Sequence, residues 1–237
     1  MIDIIAEAGV NHNGKLDTAL EMVRIAKECG CQTIKYQFYY PDILCANRNC
    51  FESYKLLDKI KMHPSWISYL AAECKRWGIE FLCTAFDRFS AEAIEQYVKR
   101  FKIASPEVTD LSYLKFLAVF EKPLILSTGK VTSEQLDRIF DEIKVPIELL
   151  YCISKYPAST SDYKLSEIKR LKKRYGCKVG VSCHCAGIKN ALDAVDKGAD
   201  IVEKHFKLND DCVDSAVSIL PCDMKKMVEI IRRNNER

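Results

Sequence analysis

Two histidines, His184 and His205, each follow directly on a short apolar run within Lys178–Phe206. The runs, Val179–Ser182 and Ile201–Glu203, are separated by one helical pattern. Two strands flanking one helix form a parallel βαβ unit, which delivers both strand ends to the same rim of a sheet. Two imidazoles on one rim can share a metal ion; two unrelated loop histidines are the alternative, and these residues alone leave both open. Around the first, Cys183-His184-Cys185 sets two soft ligands beside an imidazole. A soft-metal site is conceivable there, but neighbours in an extended segment point to opposite faces, which argues against all three gripping one ion.

The elements that must carry these groups recur regularly. Apolar runs at Ile4–Ala8, Thr33–Phe38, Ile79–Thr84, Phe101–Ala104, Pro123–Ser127 and Ile147–Cys152 read as strands ahead of the two already named. Helical periodicity falls between and after them, at Leu16–Glu28, Pro64–Trp77, Ser90–Lys99, Leu111–Phe120, Ser133–Ile143, Ser166–Tyr175, Ile188–Lys197 and Asp223–Arg233. Ser90 can cap its helix, and the stretch from Tyr39 to His63 reads as a polar connection. Eight strands alternating with eight helices in 237 residues predict an α/β fold, a closed (β/α)8 TIM barrel forming a single domain over 1–237. An open doubly wound sheet competes, but it would more often carry a glycine-rich phosphate fingerprint after strand one. The loop there, Gly9-Val10-Asn11-His12-Asn13-Gly14, does not match it.

Composition excludes several classes. A net charge of +3 with scattered Lys and Arg does not point to nucleic acid. No apolar run reaches membrane-spanning length and no signal peptide is visible, so a cytoplasmic protein is expected. Twelve cysteines in a chain that is neither short nor visibly secreted are expected to be reduced; Cys74, Cys83, Cys152 and Cys177 read as packing thiols.

In such a barrel, chemistry sits at the C-terminal ends of the strands. Polar residues gather there from every strand: Glu7, Asn11 and His12; Lys35 and Gln37; Thr84, Phe86 and Asp87; Lys102, Ser105 and Glu107. Ser127, Thr128 and Gly129 follow, then Ser154, Lys155 and Tyr156, Ser182 and His184, and Glu203, Lys204 and His205. A lysine inside a barrel must meet an anion or a carboxylate to offset its desolvation, and Glu7 in an apolar run faces the same constraint. Ser105, Ser127 and Ser182 could each be simple caps; together with Lys35 and Lys102 they read as an anion pocket.

Five blocks of this set resemble the motifs of the sialic acid synthase family: Ala6–Gly14, Lys35-Tyr36-Gln37, Lys102–Ser105, Leu126–Gly129 and Glu203–Phe206. The family includes N-acetylneuraminate, legionaminate and pseudaminate synthases. The resemblance implies a phosphoenolpyruvate-dependent condensation with an aldose or N-acylated amino sugar, giving a 2-keto-3-deoxy sugar acid and phosphate. It implies that His184 and His205 hold a divalent metal, Mn²⁺ or Mg²⁺ by family habit, although two histidines also suit Zn²⁺ or Fe²⁺. It places Lys102, Ser105, Thr84, Ser127 and Ser182 on phosphoenolpyruvate, with Lys35, Ser154 and Lys155 in the same anion pocket. Glu107 would stand beside the reacting carbons, as a base for the water that adds at C2. Glu7 and Gln37 would lie near sugar and metal, and Tyr156 and Phe86 would line the acceptor pocket.

The chain departs from the family pattern at particular positions. Cys183 stands where an aspartate usually precedes the first metal histidine, Lys155 where the family has asparagine, and Asp214-Ser215 where it has Asp-His. The Pro41–His63 loop reads as shortened, and the small antifreeze-like domain that typical members add is not expected after Arg237. The partners the resemblance implies are phosphoenolpyruvate, a sugar acceptor and a second copy in a homodimer. The competing readings are a barrel-only paralogue with an altered acceptor or a separately encoded lid protein, and a non-catalytic phosphoenolpyruvate-binding protein.

Overall fold

The computed structural model describes residues 2–235. Its elements run β1 (Asp3–Gly9), α1 (Leu16–Glu28), β2 (Thr33–Phe38), α2 (Pro41–Arg48), α3 (Tyr54–Ile60), α4 (Trp66–Trp77), β3 (Glu80–Ala85), α5 (Arg88–Ile94) and β4 (Phe101–Ile103). They continue with α6 (Leu111–Ala118), β5 (Leu124–Ser127), α7 (Ser133–Glu142), β6 (Ile147–Cys152), α8 (Ser166–Tyr175), β7 (Val179–Cys183), α9 (Lys189–Asp196), β8 (Ile201–His205) and α10 (Pro221–Asn235). The strands pair in sequence order, all parallel, and β8 closes on β1, as the alternating pattern predicts. Two expectations change. The connection after β2 folds into α2 and α3 rather than a plain loop. Ser90 does not cap its helix: Asp87 does, accepting from the Ser90 amide at 2.9 Å and from its hydroxyl at 2.5 Å.

Period-two alternation sorts each strand into an outer face against the helices and an inner face along the barrel axis. The outer face joins Ile4, Ile34, Phe81, Leu149 and Val202 to apolar stripes such as Met22, Val23 and Ala26 of α1 or Ile67, Leu70 and Cys74 of α4. The inner face is layered. A compact apolar layer of Ile5, Leu82, Ile125, Leu150 and Ile201 crosses the barrel. Gly180 belongs at this level because a side chain there has no room: a Cβ would stand 2.1 Å from the Ile201 carbonyl oxygen.

Below that layer the N-terminal mouth is closed by Arg100. Its guanidinium reaches Asp3 at 2.5 Å, Glu80 at 2.8 Å and Glu148 at 3.1 Å, with the side chain only 14% exposed. Three carboxylates from three strands thus converge on one planar cation. Removing it leaves them facing one another, so Arg100→Met is expected to cost about 3 kcal/mol of unfolding free energy. Urea melts of the two proteins read this directly; equal midpoints would show the cluster to be inert.

Candidate active site

On β8 the inward positions above Ile201 are Glu203 and His205, while Val202 and Lys204 face outward. The same parity raises Glu7, Lys35, Thr84, Lys102, Ser127, Cys152 and Ser182 on the other strands to the level above the apolar layer. There they line a cavity of about 490 Å³ that opens at the C-terminal ends of the strands. Gln37, Phe86, Ser105, Ser154, Tyr156, His184 and His205 also face this cavity.

The floor is a charged layer. Lys35 Nζ lies 3.2 Å from Glu7 Oε2 and 3.1 Å from Glu203 Oε2, and donates to Thr84 Oγ1 at 3.3 Å. Lys102 Nζ donates to Ser127 Oγ at 2.7 Å and to the Ile103 carbonyl at 3.2 Å, and stands 4.0 Å from Glu203 Oε2. Ser182 donates to Glu203 Oε1 at 2.7 Å, and Gln37 Nε2 donates to Glu7 Oε1 at 3.1 Å. Two carboxylates and two ammonium groups offset one another, which makes their burial tolerable. The two acids differ in strength. Burial pushes Glu7 above the usual carboxylate range despite Lys35. Burial acts on Glu203 in the same direction, but Lys102 and Lys35 overcome it and hold the group down to about 2. Lys102 is shifted the other way from an ordinary lysine: burial lowers it, against the pull of Glu203.

Beside the floor lies a cradle of small polar groups. Ser105 Oγ accepts the Gly129 amide at 3.1 Å and touches Cys152 Sγ at 3.1 Å. A Cβ on Gly129 would stand 2.4 Å from Ser154 Oγ and 2.8 Å from Cys152 Sγ, so glycine keeps this corner open. Cys152 is therefore a cavity residue as well as a packing thiol. Cys74 and Cys83 are buried in the core as expected, Cys177 is half-buried, and all twelve thiols are free.

His184 Nδ1 lies 2.7 Å from the Ile153 carbonyl, a contact that fixes the proton there and leaves the Nε2 lone pair toward the cavity. Nε2 meets the Tyr156 hydroxyl at 3.0 Å and Ser182 Oγ at 3.2 Å, with the Tyr156 ring stacked 4.1 Å away. Burial, helped by His205, pushes His184 down to about 3, so it is a neutral imidazole. The His205 ring centroid is 5.5 Å from that of His184, and its buried Nδ1 makes no hydrogen bond although Asp214 Oδ2 is 3.3 Å away. A neutral imidazole with a cavity-facing lone pair and a second with an unbonded buried nitrogen fit a divalent cation. Among the described residues no group of three His, Cys, Asp or Glu side chains forms a complete protein cage. Cys183 and Cys185 are buried off the cavity, Cys183 beside Asn190 of α9 at 3.7 Å, so the thiols do not join His184.

Two expected site residues are not brought in. Lys155 turns outward, its side chain 61% exposed and paired with Asp162 at 3.2 Å; it offers nothing to the anion pocket. Glu107, in the turn Glu107–Thr109 after β4, does not line the cavity either: its Oε1 takes Arg48 at 3.0 and 2.5 Å. His12 is buried behind the rim, accepting the Gly14 amide at 3.1 Å and standing edge-on to Trp66. Conversely, Glu203 and Asp214 are part of the site without having been assigned to it; Glu203 shares the His205 face by parity alone. Arg48, Lys130 and the apolar residues Leu44, Leu56, Leu57 and Ile60 also line it, five of these six from α2 and α3, in a stretch that reads as a polar connection in sequence.

Burial pushes His12 down to about 4, so with His184 it stays neutral in the fold where a free imidazole titrates near 6.5. The unfolded chain therefore binds protons first, and stability falls as pH drops from 6.5 toward 4. His12→Phe is expected to flatten that slope by about one proton, measured as unfolding free energy against pH; an unchanged slope would remove His12 as its source.

Residues 22–237 match the model of the NeuB family. The N,N'-diacetyllegionaminic acid synthase of Legionella pneumophila is 36% identical, over 97% of this chain and 71% of that one. A pseudaminic acid synthase of Campylobacter jejuni is 35% identical over 97% of this chain and 73% of that one. The crystal structure of an N-acetylneuraminic acid synthetase from Leptospira borgpetersenii, in complex with citrate, superposes with a TM-score of 0.95 at 31% identity. It covers 99% of this chain, which in turn spans 84% of that one. With the barrel, the charged floor and the paired histidines in place, the chain belongs to the NeuB family.

Proposed function

We propose that this chain condenses phosphoenolpyruvate with an N-acylated amino sugar or related aldose, releasing phosphate and forming a 2-keto-3-deoxy sugar acid. The observation that carries the reading is the buried floor on which Lys35, Lys102, Ser105, Ser127 and Ser182 meet below His184 and His205. Phosphoenolpyruvate brings a carboxylate and a phosphate, and this floor supplies ammonium groups and hydroxyls for both. The reaction joins C3 of the enol to the acceptor's aldehyde carbon, and water adds at C2, one of its protons going to the former aldehyde oxygen. The bond from C2 to the phosphate oxygen then breaks with its electron pair leaving on phosphate, while the hydroxyl at C2 gives its remaining proton to the departing phosphate and becomes the keto oxygen.

A divalent cation held by His184 and His205 would supply Lewis-acid polarisation of the acceptor carbonyl. The chain's own groups do the remaining work. Lys102 and Ser127, both buried, hold the anion through expulsion where their charge and dipole are weakly screened. Glu203 stays ionised, and its charge favours the protonated form of both lysines, against the burial that lowers Lys102. Glu7, raised by burial and lining the cavity, is the carboxyl suited to carry a proton between water and aldehyde oxygen, a role for which Glu107 is poorly placed behind Arg48. The acceptor extends toward the wall of Leu44, Leu56, Leu57 and Phe86, where acyl methyl groups find carbon to pack on.

The test is phosphate release from phosphoenolpyruvate with Mn²⁺ and a panel of N-acetylated hexosamines and aldoses. Turnover is expected with at least one acceptor, and Lys102→Met is expected to lower kcat/KM by roughly 10²–10³-fold. Silence across the panel would sink the condensation reading.

A further inference from the structure

Lys204 takes no part in that chemistry, yet it is among the largest fully buried side chains of the molecule. It sits on the outer face of β8, between Glu203 and His205, and no carboxylate pairs with it among the described residues. Its Nζ donates instead to three backbone carbonyls: Cys183 at 3.4 Å, Cys185, and Val217 at 2.8 Å. Cys183 and Cys185 are the residues on either side of His184. Val217 closes the short turn Ser215–Val217 that begins directly after Asp214, the residue standing 3.3 Å from His205 Nδ1. One ammonium therefore ties together the peptides that carry His184, His205 and Asp214.

We infer that Lys204 is a positioning residue for the paired histidines, a buried cation whose three carbonyl bonds fix His184 relative to His205 and Asp214. An apolar side chain would fill the same space at lower desolvation cost, but it would take the donor from the Cys185 and Val217 carbonyls and untie the two segments that carry them. The other bonds to the His184 backbone act on one side only. Tyr163 holds its amide at 3.0 Å, and the Ala158 amide holds its carbonyl at 3.0 Å. Neither reaches β8 or the turn after it, and Lys204 does. Partners hydrogen-bonded to a ligating imidazole typically change metal affinity about 10–100-fold when lost, and Lys204, acting through the peptides on either side, is expected at the lower end of that range.

The inference rests on the histidine pair holding a cation, and its test reads that binding separately from turnover. Mn²⁺ affinity of the metal-free full chain is measured by calorimetry for wild type, Lys204→Met and Lys204→Gln, with phosphoenolpyruvate affinity measured in parallel without metal. The Met variant removes every donor, while the Gln variant keeps some and guards against a Met variant that fails to fold. Mn²⁺ affinity is expected to fall at least 10-fold in Lys204→Met and less in Lys204→Gln, with phosphoenolpyruvate affinity held within about 2-fold. Mn²⁺ affinity unchanged in a folded variant, or both affinities falling together, would overturn the positioning role. If wild type itself binds no Mn²⁺, the histidine pair is not a metal site and the inference falls with it, while phosphate release still judges the condensation on its own.

Discussion

Everything at the open end of this barrel depends on Lys35 lying between Glu7 and Glu203. One ammonium within 3.2 Å of two carboxylates gives both acids a reason to be inside, and Lys102 balances the second of them from across the barrel. Without such pairing each charge would shift its protonation or drive the strands apart. The arrangement also sorts the acids: the one flanked by two lysines is locked as an anion, while the other is left weaker by burial. A single layer of charge thereby sets two ammonium groups, a strong acid and a weak one side by side without any element beyond the strands themselves.

Much of this was legible in the residues because strand parity is strict. Once eight strands are recognised, inward positions follow by counting in twos, and Glu7, Lys35, Lys102 and Ser182 fall on one level with His205 above it. The same rule predicts that Cys183 and Cys185 leave His184 alone, and both are buried off the cavity. Legibility fails where backbone leaves the strands. Lys155 and Glu107 lie in segments after β6 and β4, where no period fixes direction, and ion pairs with Asp162 and Arg48 settle their orientation instead. Arg48 itself comes from a helix hidden in a stretch whose polar residues mask its apolar positions Pro41, Leu44 and Cys45. Ion pairs between residues 59 apart leave no local signature.

The walls of the cavity differ in origin as well as in chemistry. Its floor comes from strands and is rigid by hydrogen bonding to both neighbours, whereas the apolar side comes from α2, α3 and the Val10, Tyr39 and Phe86 cluster, a separate packing unit from the main core. Tyr39 anchors that unit by donating to the Leu57 carbonyl at 3.1 Å, and Arg48 lies 4.9 Å over the Phe86 ring while its charge is met by Glu107. Sequence change in α2 and α3 can thus alter what the acceptor meets while the barrel's hydrogen-bonded frame stays as it is.

The apolar layer across the middle of the barrel, with Arg100 and its three acids beneath it, makes the cavity a blind well. Traffic in and out then uses one mouth. Whatever binds the charged floor must arrive before the molecule that lies above it, and cannot leave past it. For the two-substrate reaction proposed above, with phosphoenolpyruvate on the floor, this is an ordering rule: the substrate on the floor would enter first, and the phosphate set free there would depart only after the sugar acid had cleared the opening.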